Sequence, residues 1–177
     1  MGTITRPVPD ILAEGLSLIF AGYNPGRVSG ETGHHFAGPG NYFWPLLYDA
    51  GLTPRRLRPE EDRDLLLYGI GLTNLVDRVT PGSSALTAAE MRAGAERLRQ
   101  KIQQLRPRVL CLLGRDVHRA YAGIPRSRAV PWGFVAEAGI AGVQAFLAPN
   151  PSRRATMAYG ERLRLMRELA GWLAYGR

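Results

Sequence analysis

The sequence predicts a three-layer α/β sandwich, in which a short, mostly parallel central sheet is flanked by helices. Short apolar runs alternate with longer stretches of helical periodicity, which is the pattern of a parallel sheet covered by helices. One run, Val109 to Leu113, is continuously apolar, as is typical of a central strand buried on both faces. The 177 residues contain no repeat and no linker, so we expect a single domain, residues 1–177.

The first predicted elements are a strand and a long loop. Leu16 to Ala21 is apolar and stops at Gly22, which indicates a buried first strand. Gly22 to Gly40 holds six glycines and two prolines and is predicted as a loop, of a length that is usually functional or disordered. Helices are expected at Asn41 to Ala50 and at Pro59 to Leu67.

A second strand and the longest helix follow. Glycine and β-branched residues from Gly69 to Val76 indicate a strand that runs into a loop. Thr87 and Glu90 have the spacing of a capping box, in which hydroxyl and carboxylate satisfy each other's backbone donors. Apolar residues then recur at helical spacing as far as Leu105, and Pro107 ends the helix.

The remaining elements continue the alternation. Arg115 to Tyr121 is predicted as a short helix and Val143 to Leu147 as a strand. The last helix is expected from about Met157, after the polar loop Asn150 to Ala155.

Three unusual loops leave the carboxyl ends of the predicted strands. They span residues 22–40, 73–83 and 149–155. Ligands of open α/β sheets bind beyond the carboxyl ends of the strands. The sequence therefore predicts the functional site where these three loops meet.

Composition bounds the possible partners and compartments. The formal net charge is +8, and arginine carries nearly all of the positive charge because Lys101 is the only lysine. Arginine binds phosphate bidentately and stacks on bases, which suits nucleic acid, although an arginine-rich proteome would explain the same composition. Cys111 is the only cysteine, which excludes an internal disulfide and disfavours an iron–sulfur cluster.

Nothing in the sequence predicts a membrane segment or a targeting signal. No run of 18 or more apolar residues occurs, so no membrane span is expected. Met1 to Asp10 lacks the charged-then-apolar layout of a signal peptide. We therefore expect a cytoplasmic protein.

Asn24 is the first candidate for chemistry. Pro25 restricts Asn24 to an extended backbone and Gly26 permits a sharp turn, so the amide is held on a stiff bend. An amide can orient a water molecule or hydrogen-bond the edge of a base, but it is a poor general base. The alternative is a turn in which Asn24 only caps its own backbone.

His34, His35 and Phe36 lie deeper in the same loop. The adjacent histidines suggest a metal, but carboxylate partners at ligand spacing are missing, so no metal site is expected. An aromatic side chain on a glycine-rich loop can stack on a base. The alternative for Phe36 is a loop anchor packed into the core.

Two further segments supply polar candidates. Asn74 and Asp77 follow a predicted strand, and Asp77 is the nearest carboxylate to the expected cleft unless it merely pairs with Arg78 at the surface. Asn150, Ser152, Arg153 and Arg154 precede the last helix, where a helix N-terminus and arginines favour phosphate binding. The alternative there is a solvated basic turn.

Together these segments resemble the mismatch-specific uracil-DNA glycosylase and thymine-DNA glycosylase family. Gly22-Tyr23-Asn24-Pro25-Gly26 is similar to that family's Gly-Ile-Asn-Pro-Gly loop, with tyrosine in place of isoleucine. The segment 33–44 looks like its pocket loop, and the segment 71–83 is similar to the thymine branch. The resemblance runs in order from about Leu16 to Thr156.

The resemblance implies roles for the matching residues. Asn24 would orient the attacking water, the backbone around Tyr23 and Phe36 would read a flipped pyrimidine, and the Phe36 ring would stack on it. Ser29 and His35 would line the pocket near the 5-position of the base. Arg154 would be the wedge that fills the gap in the base stack; arginine at this place resembles the thymine branch.

The expected function is hydrolytic excision of uracil, or of thymine or another modified pyrimidine, from mismatched duplex DNA in base-excision repair. The resemblance implies double-stranded DNA with U:G or T:G mismatches as the partner and a monomer without cofactor or metal. Asn24 and Asp77 are the candidate catalytic residues. Two alternatives stay open: a non-catalytic nucleic-acid-binding α/β domain, and an enzyme that uses Gly22 to Gly26 as a phosphate loop, although that segment lacks the usual glycine patterns.

Overall fold

The computed structural model describes residues 6–136 and 139–176, and the first five residues of the segment Met1 to Asp10 lie outside them. The described chain has one five-stranded sheet. Its strands are β1 (Leu18–Gly22), β2 (Ile70–Asn74), β3 (Val109–Leu113), β4 (Gly133–Val135) and β5 (Gln144–Ala148). The strand order is β2-β1-β3-β5-β4, and all neighbours are parallel except the antiparallel pair β4 and β5. The predicted mostly parallel sheet is confirmed.

Helices cover the sheet on both faces. The α-helices are α1 (Arg27–Thr32), α2 (Phe43–Asp49), α3 (Ala88–Leu105), α4 (Arg115–Ala122) and α5 (Tyr159–Tyr175), and 3₁₀ helices span Pro59–Tyr68 and Ser83–Ala85. In the described part of the chain, no helix is both long enough and apolar enough to span a membrane.

Side chains along the central strands alternate between two separate cores. Leu18 and Phe20 of β1 pack in one core with α2, α5 and the Pro59–Tyr68 helix, whereas Ile19 and Ala21 pack in the other with α3 and α4. All five residues of β1 and of β3 are buried. This two-sided burial is the reason for the continuous apolar runs in the sequence, and the three-layer prediction is confirmed.

Three elements differ from the prediction. The predicted loop 22–40 contains α1, which is too short and too glycine-rich to show helical periodicity. The segment Pro59–Tyr68 is a kinked 3₁₀ helix, because its apolar residues are consecutive rather than spaced along one face, and Leu67 remains 78% exposed. Strand β4 was not predicted, because three residues carry too little pattern.

Helix α3 positions the loop that follows β2. Its capping box is confirmed, with Thr87 Oγ1 accepting from Glu90 N (3.1 Å) and Glu90 Oε2 accepting from Thr87 N (2.8 Å). Gly94 lies so close to the next layer that a Cβ there would come within 2.1 Å of the Leu75 carbonyl oxygen. The helix can therefore pack directly on the segment that leaves β2 toward the predicted site.

Candidate active site

A cavity of about 670 Å³ opens at the carboxyl ends of β1 and β2. All three loops that the sequence singled out contribute to its wall. The predicted site residues that line it are Tyr23, Asn24, Ser29, His35, Phe36, Asn74, Asn150, Ser152, Arg153 and Arg154. The convergence of the three loops is thus confirmed, whereas the chemical roles of these residues stay predictions.

The Asn24 side chain is fixed by the loop that follows β2. Its Nδ2 donates to Thr80 Oγ1 (2.7 Å) and to the Arg78 carbonyl (2.9 Å), and lies 3.3 Å from the Pro25 carbonyl. Carbonyl acceptors require the NH₂ group on this side, so the orientation of the amide is determined. The Oδ1 atom has no donor among the described residues and is free to accept from a bound molecule. The alternative in which Asn24 only caps its own backbone is wrong.

Backbone bonds prolong the β1–β2 pairing beyond the two strands. Leu75 N donates to the Gly22 carbonyl (2.8 Å), Val76 N to the Tyr23 carbonyl (3.0 Å) and Thr80 N to the Pro25 carbonyl (3.2 Å). Thr80 is buried, and its hydroxyl donates to the Gly82 carbonyl while accepting from Asn24. Sequence reasoning missed this anchoring role of Thr80, because its partners are distant along the chain.

Asn74 forms part of the cavity wall at the end of β2. Its side chain is only 7% exposed, yet no described residue hydrogen-bonds to its amide. An amide that lines a cavity without a protein partner can donate to and accept from a polar ligand. Its Oδ1 lies 2.6 Å from the place where a Cβ at position 22 would stand, so any larger residue than Gly22 would have to displace the Asn74 amide.

Phe36 is both a core anchor and a wall of the cavity. One side of its ring stacks on Phe43 of α2, with a centroid distance of 4.1 Å and an interplanar angle of 25°. Its backbone has φ of 50°, a left-handed conformation that non-glycine residues seldom adopt. Such strain persists where the surroundings determine it and is frequent at functional sites. Phe36 is therefore a loop anchor packed against the core, and its stacking on a base stays a prediction.

Two backbone donors at this wall are unused. The N–H groups of Tyr23 and Phe36 have no acceptor among the described residues. The side chain of Ser29 is instead occupied, because its Oγ accepts from Ala37 N at 3.1 Å. The Tyr23 hydroxyl points away to Met91 Sδ (2.9 Å), and its burial raises its pKa.

His35 is buried behind the same wall. Its Nε2 lies 2.8 Å from the Pro9 carbonyl, so Nε2 carries the proton and Nδ1 is the acceptor. Burial is the largest influence on its pKa and lowers it, so the imidazole is neutral near pH 7. The buried Asp62, which sequence reasoning missed, accepts from His35 N (3.1 Å) and lies 3.3 Å from His34 Nδ1. Within residues 6–136 and 139–176, no three potential metal ligands come together.

The third wall of the cavity is the loop before α5. Asn150 Oδ1 accepts from Ser152 N (2.9 Å), and Ser152 Oγ accepts from Arg154 N (3.3 Å), so both side chains turn back on their own loop. The arginines project outward. Arg154 is exposed and donates to the Pro81 carbonyl (3.2 Å), and Arg153 lies over Tyr42 with its guanidinium carbon 5.8 Å from the ring centroid.

Arg162 is a residue that sequence reasoning missed. It lies in the first turn of α5 and is 1% exposed. Its guanidinium donates to the carbonyls of Asn150, Ala155 and Met157, all in the loop that carries Arg154. A signal existed in the sequence, because Arg162 shares helical spacing with the apolar face of α5.

The structure does not bring Asp77 into the cavity. Asp77 is exposed and is not among the described residues that form the wall. It was also expected to pair with Arg78 if it was not catalytic, but the Arg78 guanidinium bonds instead to both carboxylate oxygens of Glu90, at 2.6 and 3.0 Å. The chain turns outward after Val76, which explains why proximity in sequence was misleading here.

Comparisons with known proteins agree with this architecture. The model of the Uracil DNA glycosylase superfamily matches residues 9–174. The solution NMR structure of a candidate uracil DNA glycosylase from Methanosarcina acetivorans superposes with a TM-score of 0.60 at 20% identity, over 94% of this chain and 98% of that chain. At such identity the likeness demonstrates a shared fold, here the mostly parallel sheet with helices around it. Because the family match spans nearly all of the described residues, the chain belongs to the Uracil DNA glycosylase superfamily.

Proposed function

We propose that this protein is a monofunctional DNA glycosylase that acts as a monomer in base-excision repair. It flips uracil out of double-stranded DNA at U:G mismatches and hydrolyses the bond between base and sugar, and thymine at T:G mismatches is a second substrate. The observation that carries the proposal is the meeting of an anchored amide (Asn24), an aromatic ring (Phe36) and an amide without a protein partner (Asn74) in one cavity.

The wall around Phe36 suits a planar base. The flipped pyrimidine stacks on the Phe36 ring, which Phe43 supports from the other side. The Asn74 amide can donate and accept at once, which matches the alternating donors and acceptors of a pyrimidine edge. The free N–H groups of Tyr23 and Phe36 supply donors for the base oxygens, where negative charge develops as the bond breaks.

The reaction needs a held water and a stabilised leaving group. As the glycosidic bond breaks, its electron pair passes to the base, and the sugar carbon gains positive charge. A water that donates to Asn24 Oδ1 presents its oxygen to that carbon and forms the new bond. The water gives up one proton to solvent, and the base anion takes up one proton, so the reaction is a simple hydrolysis. An amide suffices because a dissociative path requires little nucleophilic push, and no cofactor or metal is needed.

The exposed loop before α5 suits the duplex. Arg154 enters the base stack as a wedge and Arg153 faces the phosphates, while Asn150 and Ser152 hold the loop in shape for this DNA contact. Flipping costs a few kcal/mol and is cheapest for mispaired bases, which favours mismatched substrates.

Incubation with defined duplexes tests this function. Duplexes with U:G, T:G or U:A pairs, and the single strand with uracil, are treated with the protein and then with alkali, which cleaves at abasic sites. We expect cleavage that is fastest at U:G and that is lost in the Asn24→Ala protein, prepared in parallel to exclude a contaminating glycosylase. Tight binding of every duplex without cleavage would instead support the non-catalytic nucleic-acid-binding alternative.

A further inference from the structure

We propose that Arg162 is a positioning residue for the DNA-facing loop, defined as residues 150–157, and that it acts on DNA only through Arg154. The proposal rests on the proposed function. The three nitrogens of the Arg162 guanidinium each donate to a carbonyl of this loop: Nε to Met157 (3.0 Å), Nη2 to Ala155 (3.0 Å) and Nη1 to Asn150. One buried side chain thus bonds both ends of the loop.

The partners of this buried cation are carbonyl oxygens. No carboxylate among the described residues forms an ion pair with Arg162, although its side chain is almost inaccessible. A buried guanidinium stays charged and requires acceptors, and hydrogen bonds from charged donors are about twice as strong as neutral ones. If the loop opened, three such bonds would be lost and the charge would stay buried without acceptors. The closed loop and the buried cation therefore stabilise each other.

Tyr42 connects the same cation to the opposite wall of the cavity. The Tyr42 ring centroid lies 5.2 Å from the guanidinium carbon of Arg162 and 5.8 Å from that of Arg153. The Tyr42 backbone N–H donates to the Pro151 carbonyl at 3.0 Å. Since Tyr42 directly precedes α2, which supports Phe36, the DNA-facing loop is held against the wall that stacks on the base.

Arg162 is too deeply buried to touch DNA itself, so its effect on excision should depend on the exposed side chains that the loop carries. Arg154 is exposed at the tip of the loop and lines the cavity. Loss of the three carbonyl bonds should leave Arg154 in many orientations, only some of which can enter the base stack. A single-stranded substrate needs no wedge. The expected signature is a defect confined to duplex DNA and absent when Arg154 is already missing.

The experiment combines single-turnover excision with a double-mutant cycle. Arg162→Met is compared with Arg164→Met, a matched control that removes an exposed arginine from the same helix. We expect Arg162→Met to slow excision from a U:G duplex about tenfold, to leave single-stranded excision unchanged, and to add no further loss to Arg154→Ala. Arg164→Met should behave as wild type. Equal losses on both substrates, or losses that multiply with Arg154→Ala, would overturn the proposal.

Two further arms keep the outcome decisive. Arg162→Lys keeps the charge but cannot donate to three carbonyls at once, so we expect the defect on duplex DNA in this variant too. If neither Arg162→Met nor Arg162→Lys folds, Arg162 is a residue of general stability and the proposal is overturned. Hydrogen exchange of residues 150–157 should speed up in Arg162→Met or Arg162→Lys and not in Arg164→Met. This measurement needs no activity, so it still tests Arg162 if wild type cleaves no substrate and the proposed function fails.

Discussion

Two of the three walls of the cavity are built in opposite ways. On the wall formed by the loop after β1, the functional side chains are held by other parts of the protein: Asn24 by three bonds, His35 by Pro9 and Asp62, and Phe36 by Phe43. On the wall formed by the DNA-facing loop, Arg154 is exposed, and its guanidinium has one hydrogen bond to the described protein. One wall is preorganised and the other is poised to interact with solvent or a ligand.

Under the proposed function, this contrast is expected, because one wall acts on the breaking bond and the other contacts the duplex. Groups that act on a breaking bond work best when they are fixed before the reaction, whereas cations that meet a flexible polyanion gain from reach and charge. The two walls should therefore be separable by mutation. Changes in the first wall should lower the rate of bond cleavage, and changes in the second should affect only duplex substrates.

The largest effect is expected for Asn24→Ala. Removing the Oδ1 acceptor should lower single-turnover excision by about 100- to 1000-fold, the range seen when one preorganised group is lost, while duplex affinity stays nearly unchanged. Thr80→Val is the matched variant: it removes one of the three anchors of Asn24 and should cause a smaller loss in the same rate. Full activity of Asn24→Ala would show that the water is held elsewhere.

The next effect is expected for Arg154→Ala. The loss of the wedge should slow excision from duplex uracil DNA about tenfold and leave the single-stranded rate unchanged, because only the duplex must be opened. Arg27→Ala removes an exposed arginine of the opposite wall and should have the smaller effect. If Arg154→Ala slows both substrates equally, Arg154 acts on the bond and the two walls are not separable.

The sequence predicted those parts of the fold and site that are encoded locally. The buried strands were predictable because each core residue sits in its own apolar run, and Asn24 because Pro25 and Gly26 shape its bend. Arg162 was not predicted although it shares the helical spacing of the apolar face of α5, because arginines are mostly exposed. Thr80 was not predicted, because it anchors Asn24 and Pro25, which are distant along the chain. Long-range partners leave no mark on local periodicity.

A moderate effect on stability is expected from His35. Its pKa is lowered chiefly by burial, against the opposing influence of its bond to Pro9 and of the Asp62 carboxylate. The unfolded chain therefore binds the extra proton first, and the stability present above about pH 6.5 falls as the pH drops below that value, by up to about 1.4 kcal/mol per pH unit. The measurement is the free energy of unfolding by denaturant between about pH 8 and pH 5, the range in which histidine titrates. This free energy should decline less steeply with falling pH in His35→Gln, whose amide can still donate to the Pro9 carbonyl. Identical slopes would mean that His35 is protonated alike in both states.

The smallest effect is expected for Asp77→Asn, because this residue lies just outside the wall that contains Asn24. Asp77 is exposed and outside the cavity, so its substitution should change the excision rate by less than about twofold at any pH.

Glu90→Gln is the informative partner of Asp77→Asn. The backbone carbonyl of Arg78 accepts from Asn24, and its side chain bonds to Glu90. The Arg78 guanidinium lowers the pKa of the Glu90 carboxyl to about 2, so the ion pair persists through the neutral range. Weakening it should loosen the anchor of Asn24 and reduce excision more than Asp77→Asn does. The measurement is the single-turnover rate against pH for both variants. A strong loss of excision rate in Asp77→Asn, with a changed pH dependence on the acidic side, would instead show that this carboxylate takes part in the reaction. The loop after β2 would then have to close over bound DNA.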